Sequence, residues 1–198
     1  PSELKILYVG IMRKKRGINT VIEAAAELKG QVNDFRIILA GPCPDPDFGD
    51  LKAKIDEYGL DGRIIFTGEL PHTRILELIM QTDICLYPFL SSRQLDYVSP
   101  IKVFEYMSFG KVTIASDLPG IRNVITHEFD GILVHPGDSR ALARWIAAIN
   151  RDIHLKSSLE FTAAKSIQNF DWDIINEKIL GNLQKAINQS LGPFPCTI

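Results

Sequence analysis

The sequence feature that most constrains the fold is a regular alternation between short apolar runs and longer amphipathic segments. Six runs rich in β-branched residues have the length of strands, and they occupy residues 4–10, 34–41, 63–68, 83–88, 111–116 and 131–135. Segments with apolar residues at helical spacing follow them, at residues 19–28, 48–58, 73–81, 100–109, 121–126, 139–149, 152–169 and 172–186.

Strands separated by helices pair in parallel, because each helix returns the chain to the starting end of the next strand. The pattern therefore predicts an α/β fold: a doubly wound, Rossmann-like parallel six-stranded sheet with helices on both faces. Ligands of such sheets bind at the carboxyl ends of the strands, near the point where the strand order reverses. Functional side chains are therefore expected in the loops that follow the strands.

The composition of the chain argues against several classes of protein and partner. The 198 residues are 45% hydrophobic and 23% charged, with a formal net charge of −2, so a nucleic-acid partner is not expected. No apolar stretch reaches the roughly 18–20 residues of a transmembrane segment. The three cysteines, Cys43, Cys85 and Cys196, are too widely spaced to suggest a disulfide framework or a zinc site, which favours a reducing compartment.

The loop after the first strand carries four consecutive cations, Arg13 to Arg16, between Gly10 and Gly17. Glycines allow a ligand to approach the backbone, and the start of the next helix favours an anion. The loop therefore has two interpretations, a diphosphate site or a solvated basic loop. Its spacing matches neither G-x-G-x-x-G nor a P-loop, so a nicotinamide dehydrogenase is not expected.

The segment after the fourth strand reads Ser99-Pro100-Ile101-Lys102-Val103-Phe104-Glu105. A serine followed by proline predicts that Ser99 caps a helix and that Pro100 lies in its first turn, with free amides and the helix dipole directed at a ligand. Glu105 again has two interpretations. In the first, it extends to solvent or forms an ion pair with Lys102 at i,i+3 spacing. In the second, it accepts hydrogen bonds from two ribose hydroxyls.

Two D-x-D strings could suggest a metal site. They are Asp45-Pro46-Asp47, in a proline-rich loop where Asp47 suits a helix cap, and Asp171-Trp172-Asp173. The four histidines have no ligand spacing. We therefore predict neither a metal nor another cofactor.

Taken in order, short motifs along the chain resemble the C-terminal half of the group 1 (family 4) retaining glycosyltransferases, which have the two-domain GT-B fold. The resemblance extends over residues 4–187. Its motifs lie at residues 8–10 and 16–17, 38–42, 66–70, 82–88, 104–110, 115–117, 120–124, 130–132 and 136–138.

The resemblance implies roles for individual residues. Arg16 corresponds to the cation that contacts the donor diphosphate, and Gly10 to the glycine that gives the phosphate room. Glu105 corresponds to the second glutamate of the E-x7-E motif, which holds the donor ribose. Two further segments complete the donor site: Gly68, Glu69 and Leu70 beside the base, and Ser99, Pro100, Ile101 and Lys102 at the diphosphate and sugar.

Two positions depart from the family pattern. The first glutamate of E-x7-E is replaced by Tyr97, and the arginine often found after the first glycine is replaced by Ile11. An S-P-x-K-x-F-E-Y-M stretch like the one here occurs in many members of the family, which indicates a subgroup.

The resemblance also implies an activity. Residues 1–189 would be the donor domain and residues 190–198 a disordered or extraneous tail. The whole enzyme would transfer a sugar, with retention, from a UDP- or GDP-sugar to a glycan or lipid-linked intermediate of surface polysaccharide. Arg16, helped by Lys102, would stabilise the departing diphosphate without a metal.

The resemblance further implies that a missing N-terminal domain binds the acceptor, in the cytoplasm or at the inner membrane face. This chain alone is then expected to bind a nucleoside diphosphate but not to transfer sugar. The alternative is a non-catalytic nucleotide-binding or interaction module that has kept the fold.

Overall fold

Six parallel strands form a single sheet in the order β3-β2-β1-β4-β5-β6. The structure is a computed structural model that describes residues 3–44, 47–97, 99–170 and 180. The strands are β1 Leu4–Val9, β2 Phe35–Ala40, β3 Ile64–Gly68, β4 Ile84–Tyr87, β5 Val112–Ser116 and β6 Ile132–Val134.

Helices connect the strands and follow the last of them. They are α1 Ile18–Leu28, α2 Asp47–Glu57, α3 His72–Met80, α4 Ile101–Ser108, α5 Pro119–Arg122, α6 Ser139–Arg151 and α7 Ile153–Ser166. Short 3-10 helices span Lys14–Arg16 and Ile167–Phe170. Asp138 caps α6 by accepting the Ala141 amide at 2.8 Å, and Asp152 caps α7 through the amides of His154 and Leu155.

Both faces of the sheet are covered, as the apolar strands require. Alternate residues of β1 point to opposite faces: Ile6 and Tyr8 belong to the main hydrophobic cluster with α1 and α6. On the other face, Leu7 and Val9 pack with residues of α3 and α4, namely Ile75, Ile79 and Tyr106. The predicted doubly wound, Rossmann-like sheet is confirmed.

The strand order reverses between β1 and β4, which are neighbours in the sheet although they are distant in sequence. The loops that leave these two strands therefore diverge at the carboxyl edge and open a crevice between them. This position brings the basic loop after β1 close to the segment after β4.

Element bounds differ from the predicted ones most at α5, expected over residues 121–126 and observed at Pro119–Arg122. Proline suits the first position of a helix, and the buried carboxylate of Asp130 accepts the Thr126 amide at 2.7 Å, so the chain turns there instead.

Some predicted elements lie outside the described residues: Asp45 of the first D-x-D string, the second D-x-D string, the helix over residues 172–186 apart from residue 180, and the tail over residues 190–198. Within the described ranges, no helix combines the length and the apolar character needed to cross a membrane.

Candidate functional site at the carboxyl edge of the sheet

Hydrogen bonds with β1 and with the end of β2 fix the conformation of the loop after β1. The hydroxyl of Tyr8, fully buried in β1, donates to the carbonyl of Ile11 at 2.9 Å. The amides of Gly10 and Met12 donate to the carbonyls of Ala40 and Pro42, both at 2.9 Å. Burial raises the pKa of Tyr8 above its usual range, while the charge of Arg16 opposes the shift. The hydroxyl therefore stays protonated and remains a donor.

The end of this loop docks directly on the segment that follows β4. The Leu90 amide donates to the Lys15 carbonyl at 3.1 Å. Gly17, with φ +73°, lies so close to Pro88 that a Cβ there would stand 1.7 Å from the proline carbonyl oxygen. Close backbone packing is therefore the reason for glycine at this position.

The four cations of the loop have different surroundings. Lys14 forms an exposed ion pair with Asp50 at 2.9 Å, and Arg13 and Lys15 are exposed. Arg16 is half-buried, with its guanidinium carbon 4.6 Å from the ring centroid of Phe89. Of the two interpretations of the loop, a solvated surface fits Arg13 and Lys15, whereas Arg16 is a fixed cation at the crevice.

An aromatic pair supports Arg16. The rings of Phe89 and Tyr87 stack with centroids 4.0 Å apart, and both side chains are buried. Burial raises the pKa of Tyr87 to about 12, although the charge of Arg16 acts in the opposite direction. Arg16 therefore lies over an aromatic pair whose tyrosine stays neutral.

Three glycines bring the ends of β1, β2 and β3 together. A Cβ on Gly41 would lie 2.3 Å from the carbonyl oxygen of Gly10, and the Gly41 amide donates to the carbonyl of Gly68 at 2.9 Å. The predicted donor residues Gly10 and Gly68 thus meet through Gly41. Beyond them, Glu69 is exposed and Leu70 packs on the apolar cluster under α3.

The start of α4 differs from the prediction. Pro100 has φ −86° and ψ 62°, an inverse γ-turn in which the Ile101 amide donates to the Ser99 carbonyl at 3.0 Å. The helix therefore begins at Ile101. The prediction that Ser99 caps it from Pro100 onwards is wrong: Pro100 is the N-cap, and no side-chain hydrogen bond caps the helix.

The carboxylate of Glu105 is held on both oxygens. Lys102 Nζ donates to Oε2 at 2.8 Å, and His72 Nε2 lies 3.3 Å from Oε1. The predicted i,i+3 pair with Lys102 is confirmed. The side chain of Glu105 keeps 19% of its exposure, and the contact with His72, the first residue of α3, joins α3 to α4.

Tyr106 attaches α4 to the end of β1. Its hydroxyl oxygen accepts the amide of Val9 at 3.2 Å, and the residue is fully buried. Burial raises the pKa of Tyr106 well above its usual value, because ionisation would leave a charge in the core. Glu105, the neighbouring residue, is thereby fixed relative to the loop that begins at Gly10.

The site thus has a cationic part around Arg16 and an acidic part around Glu105, both at the carboxyl edge. Sequence reasoning missed Phe89 and His72. An aromatic residue immediately after the fourth strand was the available signal for Phe89. Tyr97, at the motif position of the first glutamate, is 78% exposed. Among the described residues, no group of three or more histidine, cysteine or acidic side chains could hold a metal ion.

Comparison with known proteins identifies the relatives of this chain. The family model for glycosyl transferases group 1 matches residues 1–165. A putative colanic acid biosynthesis glycosyltransferase of Salmonella typhimurium is 27% identical over 184 residues, which make up 91% of this chain and 45% of that protein.

The fold is also found in solved structures of other proteins. The Anabaena protein HepE, in complex with UDP and glucose, has a TM-score of 0.79 and 21% identity over 92% of this chain and 48% of that one. The C-terminal domain of a glycosyl transferase group 1 family protein from Francisella tularensis has a TM-score of 0.75 and 22% identity over 85% of this chain and 86% of that one. The chain therefore spans about half the length of HepE and of the Salmonella relative, but nearly all of the Francisella domain.

Proposed function

This chain belongs to the group 1 glycosyltransferases, and we propose that it supplies the donor site for transfer of a sugar, with retention, from a nucleoside-diphosphate sugar. The observation that carries the proposal is the fixed cation at the strand-order reversal: Arg16 is half-buried beside the ends of β1 and β4. Anions in a doubly wound sheet bind at this point.

Charge development in the reaction explains what Arg16 would do. When the bond between the sugar and the diphosphate breaks, negative charge grows on the leaving diphosphate. A guanidinium already in place stabilises that charge without reorganising at the moment of reaction. Lys102 is paired with Glu105, so its charge is partly compensated and we give it a supporting role.

Glu105 would hold the ribose of the donor. A carboxylate can accept hydrogen bonds from two neighbouring hydroxyls, and its oxygens are already oriented by Lys102 and His72. The segment Gly68 to Leu70 would lie beside the base. The solved structure of HepE, which has the same fold, contains UDP and glucose. This supports UDP as the first donor nucleotide to test, with GDP as the second.

The remainder of the enzyme is part of the same proposal. Relatives about twice as long as this chain support an acceptor site on a separate N-terminal domain. The Salmonella relative, which is named for colanic acid biosynthesis, supports a role in polysaccharide biosynthesis. A location at the cytoplasmic side of a membrane is part of the proposal. We propose that residues 1–189 act as the donor domain and that transfer needs the partner domain.

Tyr97 favours a second candidate function. Because the first glutamate of the motif is replaced by an exposed tyrosine, a non-catalytic module that binds a nucleotide without transferring its sugar is the alternative. An assay of sugar transfer by the intact protein, including the proposed N-terminal domain, would separate the two.

Calorimetric titration of the chain with UDP and GDP tests the donor site. Arg16→Ala should weaken binding by roughly tenfold or more, because a charge-assisted contact to phosphate is lost. Arg13→Ala is the matched control, since it removes the same charge from an exposed position of the same loop. Equal affinities for the wild type and Arg16→Ala would contradict the proposal.

A further inference from the structure

We propose that Phe89 is a positioning residue of the donor site, whose ring fixes the plane in which Arg16 presents its guanidinium to the diphosphate. The proposal rests on the function proposed above for Arg16. It adds a residue that contacts neither sugar nor nucleotide and acts through the arginine.

The geometry of the stack supports this role. The Arg16 guanidinium carbon lies 4.6 Å from the Phe89 centroid. The Phe89 ring lies on the Tyr87 ring at 4.0 Å with an interplanar angle of 24°. Phe89 is 2% exposed and Tyr87 5% exposed, so surrounding atoms restrict both rings. Arg16 therefore rests on a rigid surface.

The backbones that carry the two partners are also joined. Residues 15–17 meet residues 88–90 through the Leu90-to-Lys15 hydrogen bond of 3.1 Å and through the close approach of Gly17 to Pro88. The Arg16 amide donates to the Arg13 carbonyl at 2.8 Å within the 3-10 turn. Because the backbones are connected on both sides of the stack, the ring and the guanidinium stay in register.

The orientation of an arginine affects anion binding more than that of a lysine does, because the guanidinium is planar and the ammonium group is not. A free arginine loses much rotamer entropy when it binds an anion. A guanidinium stacked by one face on a ring has already lost that freedom, and its N–H groups point outward in the plane of the group. Such an edge fits the two oxygens that a diphosphate can present side by side.

A double-mutant cycle tests the proposal. Phe89→Leu, Arg16→Ala and the double variant are each titrated with UDP. Phe89→Leu should weaken UDP binding by roughly three- to tenfold when Arg16 is present, and should have little effect when Arg16 is already alanine. An equal loss in both backgrounds would show that Phe89 only supports the fold, and would overturn the proposal.

The chain offers a matched control for the loss of a buried ring. Phe35 is also 2% exposed, and the guanidinium carbon of Arg63 lies 4.6 Å from its centroid. Phe35 is the first residue of β2 and therefore lies at the amino ends of the strands, opposite the carboxyl edge that carries the site. Phe35→Leu should lower the free energy of unfolding as Phe89→Leu does, but should leave the affinity for UDP unchanged. If Phe35→Leu weakened UDP binding as much as Phe89→Leu does, the proposal would be overturned.

A measurement without nucleotide separates this proposal from the function on which it rests. In the NMR spectrum of the free wild-type chain, the ring current of Phe89 should shift the Arg16 Nε–H signal upfield, and Phe89→Leu should abolish the shift. An unshifted signal in the wild type overturns the positioning role even where UDP binds. Failure of the wild type to bind UDP or GDP overturns the proposed function, and the positioning role with it.

Discussion

Gly17 and Pro88 are in such close backbone contact that a Cβ on Gly17 would stand 1.7 Å from the Pro88 carbonyl oxygen. This contact joins the loop after β1 to the segment after β4. It also fixes the distance between Arg16 and Phe89, because Arg16 is next to Gly17 in sequence and Phe89 is next to Pro88.

Gly17→Ala should therefore destabilise the fold strongly. Gly62→Ala is the matched control, because Gly62 has a similar φ of +75° but nothing within 4 Å of the added Cβ. Gly62→Ala carries only the cost of the left-handed conformation, about 1 kcal/mol. Gly17→Ala adds overpacking, and should cost about 2 kcal/mol more in the free energy of unfolding measured with urea. Equal losses would mean that the contact is easily relaxed.

Glu105→Gln tests the ribose contact. The variant should weaken UDP binding by roughly tenfold, because hydrogen bonds to a charged acceptor are lost. It should scarcely change the binding of 2′,3′-dideoxy-UDP, which lacks the hydroxyls. Glu77→Gln, which alters the exposed partner of Arg74 on α3, serves as the control. If Glu105→Gln weakened both nucleotides equally, the carboxylate would act on something other than the ribose.

Asp117 should make stability depend on pH at the acid end. Arg122 hydrogen bonds hold the pKa of Asp117 below its ordinary value of 3.8. A lowered folded-state pKa means that the stabilisation is fully present above that ordinary value and is lost as the pH falls through the lower, folded one. Asp117→Asn should therefore be less stable than the wild type at pH 7.

Urea unfolding of the two proteins at several pH values measures this difference. The gap should be modest, because both side chains are partly exposed, and it should close below pH 3.8. Asp61→Asn, at an exposed position, should show no such gap. A difference between wild type and Asp117→Asn that persisted unchanged into acid would contradict the assignment.

Removal of metal ions should leave nucleotide binding unchanged. Arg16, supported by Lys102, is proposed to meet the charge of the diphosphate, so UDP affinity should be the same in EDTA and in excess Mg²⁺. The comparison is made by calorimetry at constant ionic strength, since free ions also screen the cation. A large loss in EDTA would show that a bound metal carries part of this role.

Much of the fold follows from local pattern, whereas the site depends on contacts between distant segments. The strands and most helices are visible as apolar periodicity, and the pair of Lys102 with Glu105 follows from helical spacing. The stack of Arg16 on Phe89 and the contact of Glu105 with His72 require the strand order. Ser99 was assigned wrongly because a γ-turn at Pro100 cannot be distinguished from a helix start by residue type alone.

The most direct test of the donor site is a crystal structure of the chain with UDP bound. The expected complex has an Arg16 guanidinium nitrogen about 2.7–3.2 Å from a diphosphate oxygen and a Glu105 oxygen at a similar distance from a ribose hydroxyl. A diphosphate bound away from Arg16, with the ribose out of reach of Glu105, would contradict the proposed site.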